Sequence, residues 1–199
     1  MGRTSDTREK LIETATELMW RDSYSSVSVD EICKKADVKK GSFYHYFPSK
    51  IALANASIQA CTADMKSHYD DMFSPTRAPL ERFDVMIDFV IESQKEIAAK
   101  YGHVCGCPFI TIGSELAAQD DDMAHTISGI LDMKAAYYKS ALKDLIDLKQ
   151  IPADTNVDEK AQEIFSFLVG QMTIARIRDD IGYLENHMKQ SLRNLIGAA

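Results

Sequence analysis

Residues 28–50 leave room for one local architecture, and it constrains everything around them. Ser28-Val29-Asp30-Glu31 has the spacing of a capping box, in which a serine oxygen accepts an N–H three residues on and a glutamate reaches back to the serine N–H. The spacing predicts a short helix to about Ala36. Asp37 to Lys39 can make only a tight turn before a second short segment, Lys40 to Phe47. Pro48 ends that segment, because the residue before a proline is pushed out of the helical region. Ser49 can then cap a longer helix. Two short helices joined by a tight turn make a helix-turn-helix.

The rest of the chain reads as helix on both sides of this motif. Asp6 and Glu9 have the spacing of an N-cap and its partner, and Leu11, Ile12, Ala15, Leu18 and Met19 recur at helical intervals, predicting a first helix over Thr7 to Arg21. Asp22 to Ser26 is a polar breaker. After Ser49, the residues Ile51, Ala54, Ile58, Cys61, Met65, Tyr69 and Met72 mark one face of a long helix, which Ser74 to Pro79 breaks. Further helices are expected over 79–101, 108–118, 122–149, 157–179 and 181–196, with Pro108 in a first turn, Pro152 beyond a helix end and Gly182 at a junction. The β-favouring stretches Val27-Ser28-Val29 and Phe109 to Ile112 are too short and too close to helix caps to form strands. The expected fold is all-α, with a small N-terminal domain over 1–50 and a larger helical domain over 51–199.

An apolar fraction of 45% with 27% charged residues fits an ordinary packed protein. No run of eighteen apolar residues exists, and MGRTSDTREK lacks the apolar stretch of a signal peptide, so a cytoplasmic protein with no membrane partner is expected. Cys33, Cys61, Cys105 and Cys107 have no framework spacing and read as reduced thiols. Enzyme signatures such as the P-loop, G-x-G-x-x-G, H-E-x-x-H and G-x-S-x-G are missing, and Asp120-Asp121-Asp122 reads as a helix cap rather than a metal patch. No enzymatic activity, cofactor or metal is expected.

The net charge of −7 is unevenly spread: residues 1–50 carry +1 and the remainder −8. This favours a polyanion as partner of the N-terminal quarter alone. Within it, VKKGSFYHYFPSK concentrates the relevant chemistry. Lys39 and Lys40 open the third helix, where side chains can point at base edges, and Ser42, Tyr44, His45 and Tyr46 are short or flat hydrogen-bonders. Tyr44, His45 and Tyr46 are consecutive, so they span most of a turn and cannot all face a core. Lys50 falls in the first turn of the next helix, which favours a phosphate. Phe43 and Phe47, four apart, are expected to face inward.

Residues 7–50 resemble the DNA-binding domain of the TetR family of bacterial transcriptional regulators, through REKLIETATELM, SVDEICKKADV and GSFYHYFPSK. The resemblance implies a homodimer reading a palindromic operator in double-stranded DNA, and a C-terminal domain that binds a small effector and dimerises. By position it places Lys39, Lys40, Gly41 and Tyr44 nearest the bases, and Ser28, Ser42, His45, Tyr46 and Lys50 on phosphates. A repressor released by its effector is implied. A helical interaction protein that binds no DNA is the alternative, and it leaves the Tyr44-His45-Tyr46 triplet unexplained.

Within the acidic half, Phe83, Met86, Phe89, Tyr101, His103, Cys107, Phe109, Met133, Tyr137, Phe165 and Met172 are candidate pocket residues, competing with a role as plain core. HVCGCPFITIGSELA resembles the G-C-P…E-L-A signature opening the sixth helix in one TetR subgroup, some members of which sense electrophiles or oxidants. Cys107 precedes a helix, whose N-terminus favours thiolate. Three readings of Cys105 and Cys107 stay open: core or pocket wall, thiol sensor, or, with His103, a metal site lacking a fourth ligand. Ile164, Leu168, Gln171, Ala175, Leu184, Met188, Leu192 and Leu195 are expected at the dimer interface, with intrachain core as the competing reading.

Overall fold

The computed structural model describes residues 2–198, with side chains from Asp6 onward. Nine helices and no strand occur among the described residues: α1 (Gly2–Asp22), α2 (Val29–Ala36), α3 (Lys40–Tyr46), α4 (Lys50–Met72), α5 (Pro79–Tyr101), α6 (Pro108–Leu116), α7 (Asp121–Asp147), α8 (Val157–Arg178) and α9 (Gly182–Ile196). The all-α expectation therefore holds. One start differs. Asp6 is no N-cap, because α1 begins before it; its carboxylate pairs instead with Lys10 one turn on, at 2.9 Å.

The local signals of the helix-turn-helix act as the sequence requires. Ser28 and Glu31 form the capping box, with Glu31 N donating to Ser28 Oγ at 3.2 Å and Ser28 N donating to Glu31 Oε2 at 2.7 Å. Asp37 closes α2 in the left-handed region, φ 54°, its N–H donating to the Cys33 and Lys34 carbonyls. Aspartate tolerates that conformation better than most residues. Phe47 is extended ahead of Pro48, and Ala52 N donates to Ser49 Oγ at 3.1 Å to start α4. Met123 N donates to Asp120 Oδ1 at 2.8 Å, so Asp120 caps α7.

The chain packs as two compact units, and the division does not fall at residue 50. One unit comprises residues 1–64 and 108–129, the other 65–107 and 130–199. The chain thus passes between units within α4, at the Cys107–Pro108 bond and within α7. In the first unit, Leu11, Ala15 and Met19 of α1, Ile32 of α2, Phe43 of α3 and Leu53, Ala54 and Ile58 of α4 are all fully buried. Phe109, Ile112 and Leu116 bury the inner face of α6 in this unit. Each large apolar side chain so buried contributes roughly 1.5–3 kcal/mol.

The second unit is built on Tyr69, Met72 and Phe73 from α4, Phe83, Met86 and Ile87 from α5, Tyr138, Leu142 and Leu145 from α7, and the inner stripes of α8 and α9. Arg82 is buried there, donating to Asp144 at 2.6 Å and to the Arg77 and Pro75 carbonyls. Among the described residues no helix is long and apolar enough to cross a membrane.

Candidate functional site

The third helix is fixed from below and open above. Phe43 is fully buried and Phe47 nearly so, their ring centroids 6.2 Å apart, while Arg8 of α1 lies over the Phe47 ring. On the opposite side Lys39, Lys40, Gly41, Tyr44 and His45 are exposed, Tyr44 by 52%, and Ser42 and Tyr46 are half-buried. Lys40 pairs with Asp30 at 2.7 Å, a solvated contact easily exchanged for another anion. A side chain added at Gly41 would meet nothing within 4 Å, so the fold itself does not demand glycine there.

Two residues expected on phosphate are engaged inside the protein. Ser28 belongs to the capping box. Lys50 donates to the carbonyls of Tyr24 and Val27, both at 2.8 Å, with its ammonium 3.9 Å from the Tyr24 ring centroid. Burial pulls the Lys50 pKa below its ordinary value, against the attraction of Glu115 and Glu31. Lys50 therefore ties the α1–α2 turn to the start of α4. Glu115 of α6 holds the same turn from another side, accepting from the N–H groups of Tyr24 (3.2 Å) and Ser25 (3.0 Å) and the Ser25 hydroxyl (2.5 Å). Sequence reasoning missed this contact, since a lone glutamate ninety residues away carries no local signal.

In the second unit, the loop after α5 is pinned by side chains. Buried Gln94 brackets the Gly106 peptide, accepting its N–H at 2.9 Å and donating to its carbonyl at 3.1 Å. Asp179 accepts Val104 N at 2.9 Å, and Arg176 donates to Cys105 O at 2.5 Å. Gly106 has φ +70°, a conformation that strains any side chain. Cys105 is fully buried and Cys107 half-buried. His103, Cys105 and Cys107 do not converge: among the described residues no three His, Cys, Asp or Glu groups come together as metal ligands.

The candidate pocket residues are not gathered in one place. Phe83 and Met86 are buried in the core of the second unit, with Phe89, Tyr137, Phe165 and Met172 packed against it. Phe89 also borders a surface groove of about 530 Å³ along α5, beside Val85, Ile91 and Lys95. Tyr101, His103, Cys107 and Met133 are half-buried, and Phe109 belongs to the first unit. Lys134 and Tyr138 lie outside the residues the sequence singled out, although Lys134 interrupts the stripe Met123, Ile127, Ile130, Tyr138, Ala141, Leu145 and is itself buried.

The residues expected between chains require a correction. Ile164, Leu168, Ala175, Leu184, Met188 and Leu192 are buried in the chain's own fold, and Gln171 and Leu195 are half-buried. The most apolar stripes of α8 and α9 pack on each other, because intrachain burial claims the strongest hydrophobic faces first. What α8 leaves outward is Ile177, 78% exposed, with half-buried Gly170 and Ile174 on the same side, while half-buried Phe167 packs against the core of the unit.

A three-helix head with an open basic and aromatic reading helix, followed by a separate helical unit, defines a helix-turn-helix DNA-binding protein. The chain belongs to the tetR family of bacterial regulatory proteins: the family's N-terminal pattern matches residues 11–56, and the tetracyclin repressor-like C-terminal domain matches residues 79–191. It is similar to the transcriptional regulator AcuR of Cereibacter sphaeroides, 29% identical over 85% of this chain and 76% of that protein. The HTH-type transcriptional repressor NemR of Escherichia coli is 23% identical over 96% of this chain and 94% of its own length. The crystal structure of the regulatory protein TetR from Rhodobacter sphaeroides superposes with a TM-score of 0.80 at 28% identity, covering 95% of this chain and 96% of that one. The protein is accordingly a ligand-responsive transcriptional regulator, of a family that binds DNA, typically as dimers with small-molecule effectors.

Proposed function

We propose that the chain acts in the cytoplasm as a homodimeric repressor, its paired α3 helices reading a palindromic operator and its C-terminal unit taking a small effector that releases the DNA. The observation that carries this reading is the exposed face of α3, seated on a buried Phe43. Lys39, Lys40 and Tyr44 face base edges, while Gly41, which the fold leaves free to be larger, lets the backbone approach the duplex. Ser42, His45 and Tyr46 hold phosphates. Ser28 and Lys50 shape the turn that seats the reading head on the duplex.

The second protomer packs against the outward face of α8, Gly170, Ile174 and Ile177, where the open space at Gly170 admits a close helix. Effector binding selects a conformer whose reading helices no longer match successive major grooves about 34 Å apart. The route runs along the covalent connections between units and through Glu115 to the α1–α2 turn.

In-vitro selection from random duplex DNA, followed by gel-shift titration, tests the reading. A two-fold symmetric site is expected, bound by a dimer. Lys40→Ala should relax base preference within the site and reduce the salt slope by about one. Recovery of no enriched sequence would overturn the proposal.

A second reading, in which oxidation or alkylation of a thiol releases the DNA, is favoured by one observation: Cys107 is only half-buried and immediately precedes the first turn of α6. N-ethylmaleimide should then abolish operator binding by the wild type and spare Cys107→Ser. Equal loss in both would dismiss it.

A further inference from the structure

Inside the first unit the α1–α2 turn is gripped from two sides by side chains of opposite charge. Both carboxylate oxygens of Glu115, on α6, are engaged: Oε1 accepts Tyr24 N at 3.2 Å, and Oε2 accepts Ser25 N at 3.0 Å and the Ser25 hydroxyl at 2.5 Å. Lys50, on α4, donates to the Tyr24 and Val27 carbonyls of the same turn, and the two opposite charges attract across it. The Ser28 cap of α2 lies three residues beyond Ser25, so a rotation of this turn carries α2 and the reading helix α3 with it.

Nothing in the folding of the head itself calls for Glu115. The helices of the head carry their own caps at Ser28 and Ser49 and their own core around Phe43. α6 is seated without Glu115 too, through buried Phe109, Ile112 and Leu116. At Gly113 an added Cβ would lie 2.9 Å from the Ile127 side chain, so α6 rests closely on α7 as a firm platform. Apolar contact is non-directional and lets packed surfaces turn on one another, whereas a carboxylate holding three donors fixes an orientation. The platform also has an upstream anchor. α6 starts directly after the loop in which Gln94 brackets Gly106, while Arg176 and Asp179 of the α8 end hold Cys105 and Val104.

We propose that Glu115 is a positioning residue for operator recognition: by orienting the α1–α2 turn on α6 it fixes the pose of each reading head, and so sets the separation of half-sites that the dimer accepts. It acts through the turn rather than on the duplex. Base preference within a half-site belongs to α3 and is independent of it. This deepens the reading of the chain as a dimer on a palindromic operator and rests on it.

Gel-shift titration of the full-length protein on the operator recovered by in-vitro selection, and on the same duplex with one base pair inserted at its centre, tests the assignment. The inserted pair moves the half-sites apart by about 3.4 Å and turns them by about 34°. Wild type should bind the lengthened duplex about tenfold or more less tightly, the margin of one lost charge-assisted contact. Glu115→Ala should bind the original spacing about tenfold less tightly and lose no more than about threefold on insertion. Glu115→Gln, whose amide oxygen still accepts N–H groups, should fall between the two. A brace that served stability alone would lower affinity for both duplexes by one factor and leave their ratio at the wild-type value. That result would overturn the proposal, as would a Glu115→Ala protein that matches wild type on both duplexes, or a wild type indifferent to the insertion. Circular dichroism identifies a variant that does not fold. Ser25→Ala, which removes the hydroxyl contact alone, keeps the test open: it should shift the ratio the same way by about two- to threefold, and an unchanged ratio there counts against the proposal. Selection that recovers no site would bring down the operator reading, and the spacing role with it; a ratio unmoved in Glu115→Ala would bring down the spacing role alone.

Discussion

Tyr44 and Tyr138 are the same residue put to opposite uses, and they stand for the two units that hold them. Tyr44 is 52% exposed on a helix whose neighbouring Phe43 supplies the anchorage, whereas Tyr138 is fully buried with its hydroxyl tied to another tyrosine. In the head, the functional face is the one the core rejects. In the second unit, the expected pocket residues Phe83 and Met86 are part of the core itself. Function on a surface leaves a visible excess of aromatic and basic residues; function inside a helical core borrows residue types that packing uses anyway.

The sharpest way to break that contrast is to remove the anchorage. Phe43→Ala should cost roughly 3–5 kcal/mol of head stability by opening a cavity, and operator binding should vanish with the fold. Urea unfolding that leaves the head transition in place would show that α3 is held some other way. Next comes the outward face of α8. Ile177→Glu should cost the dimer about 2 kcal/mol, raising the dissociation constant about thirtyfold in sedimentation equilibrium, while the monomer's own unfolding changes little.

Smaller effects test how the head is built. Ser28→Ala should destabilise α2 by about 1 kcal/mol through loss of its cap. The backbone N–H and hydroxyl of Ser28 hold the Glu31 carboxyl below its ordinary pKa. A carboxylate depressed in the folded state stabilises it above the ordinary glutamate value, and that contribution is lost as pH falls through the depressed one. Wild type should therefore lose α2 protection in acid, and Glu31→Gln should flatten the response in hydrogen exchange. The smallest stability change belongs to Tyr44→Ala, within about 0.5 kcal/mol. Its DNA affinity should nevertheless collapse. A large loss of stability there would merge the two uses of tyrosine that the structure keeps apart.

Much of the fold was legible in the sequence, because each signal was local. The Ser28–Glu31 box, the break at Pro48 and the helix opened by Pro108 act within a few residues of themselves. The open face of α3 was legible too, since three consecutive aromatic or imidazole side chains cannot share one inward direction. Asp6 misled because α1 extends upstream of it, leaving Asp6 to pair with Lys10. The α8 and α9 stripes misled for another reason: apolar periodicity declares that a face is buried, never against which partner. Gln94 and Lys134 carried usable signals, each a polar residue at a buried position of an apolar stripe. Glu115 carried none, because its partners lie far off in the chain.

The passage of the chain between units within α4, at Cys107–Pro108 and within α7 has a consequence for engineering. The reading head is not a portable cassette. A fragment ending at residue 64 lacks the Phe109, Ile112 and Leu116 layer and the Glu115 brace, so it loses part of its own interior along with its regulation. A chimera that transplants this specificity onto another sensor needs three joints rather than one, two of them in mid-helix where the register of both partners must agree.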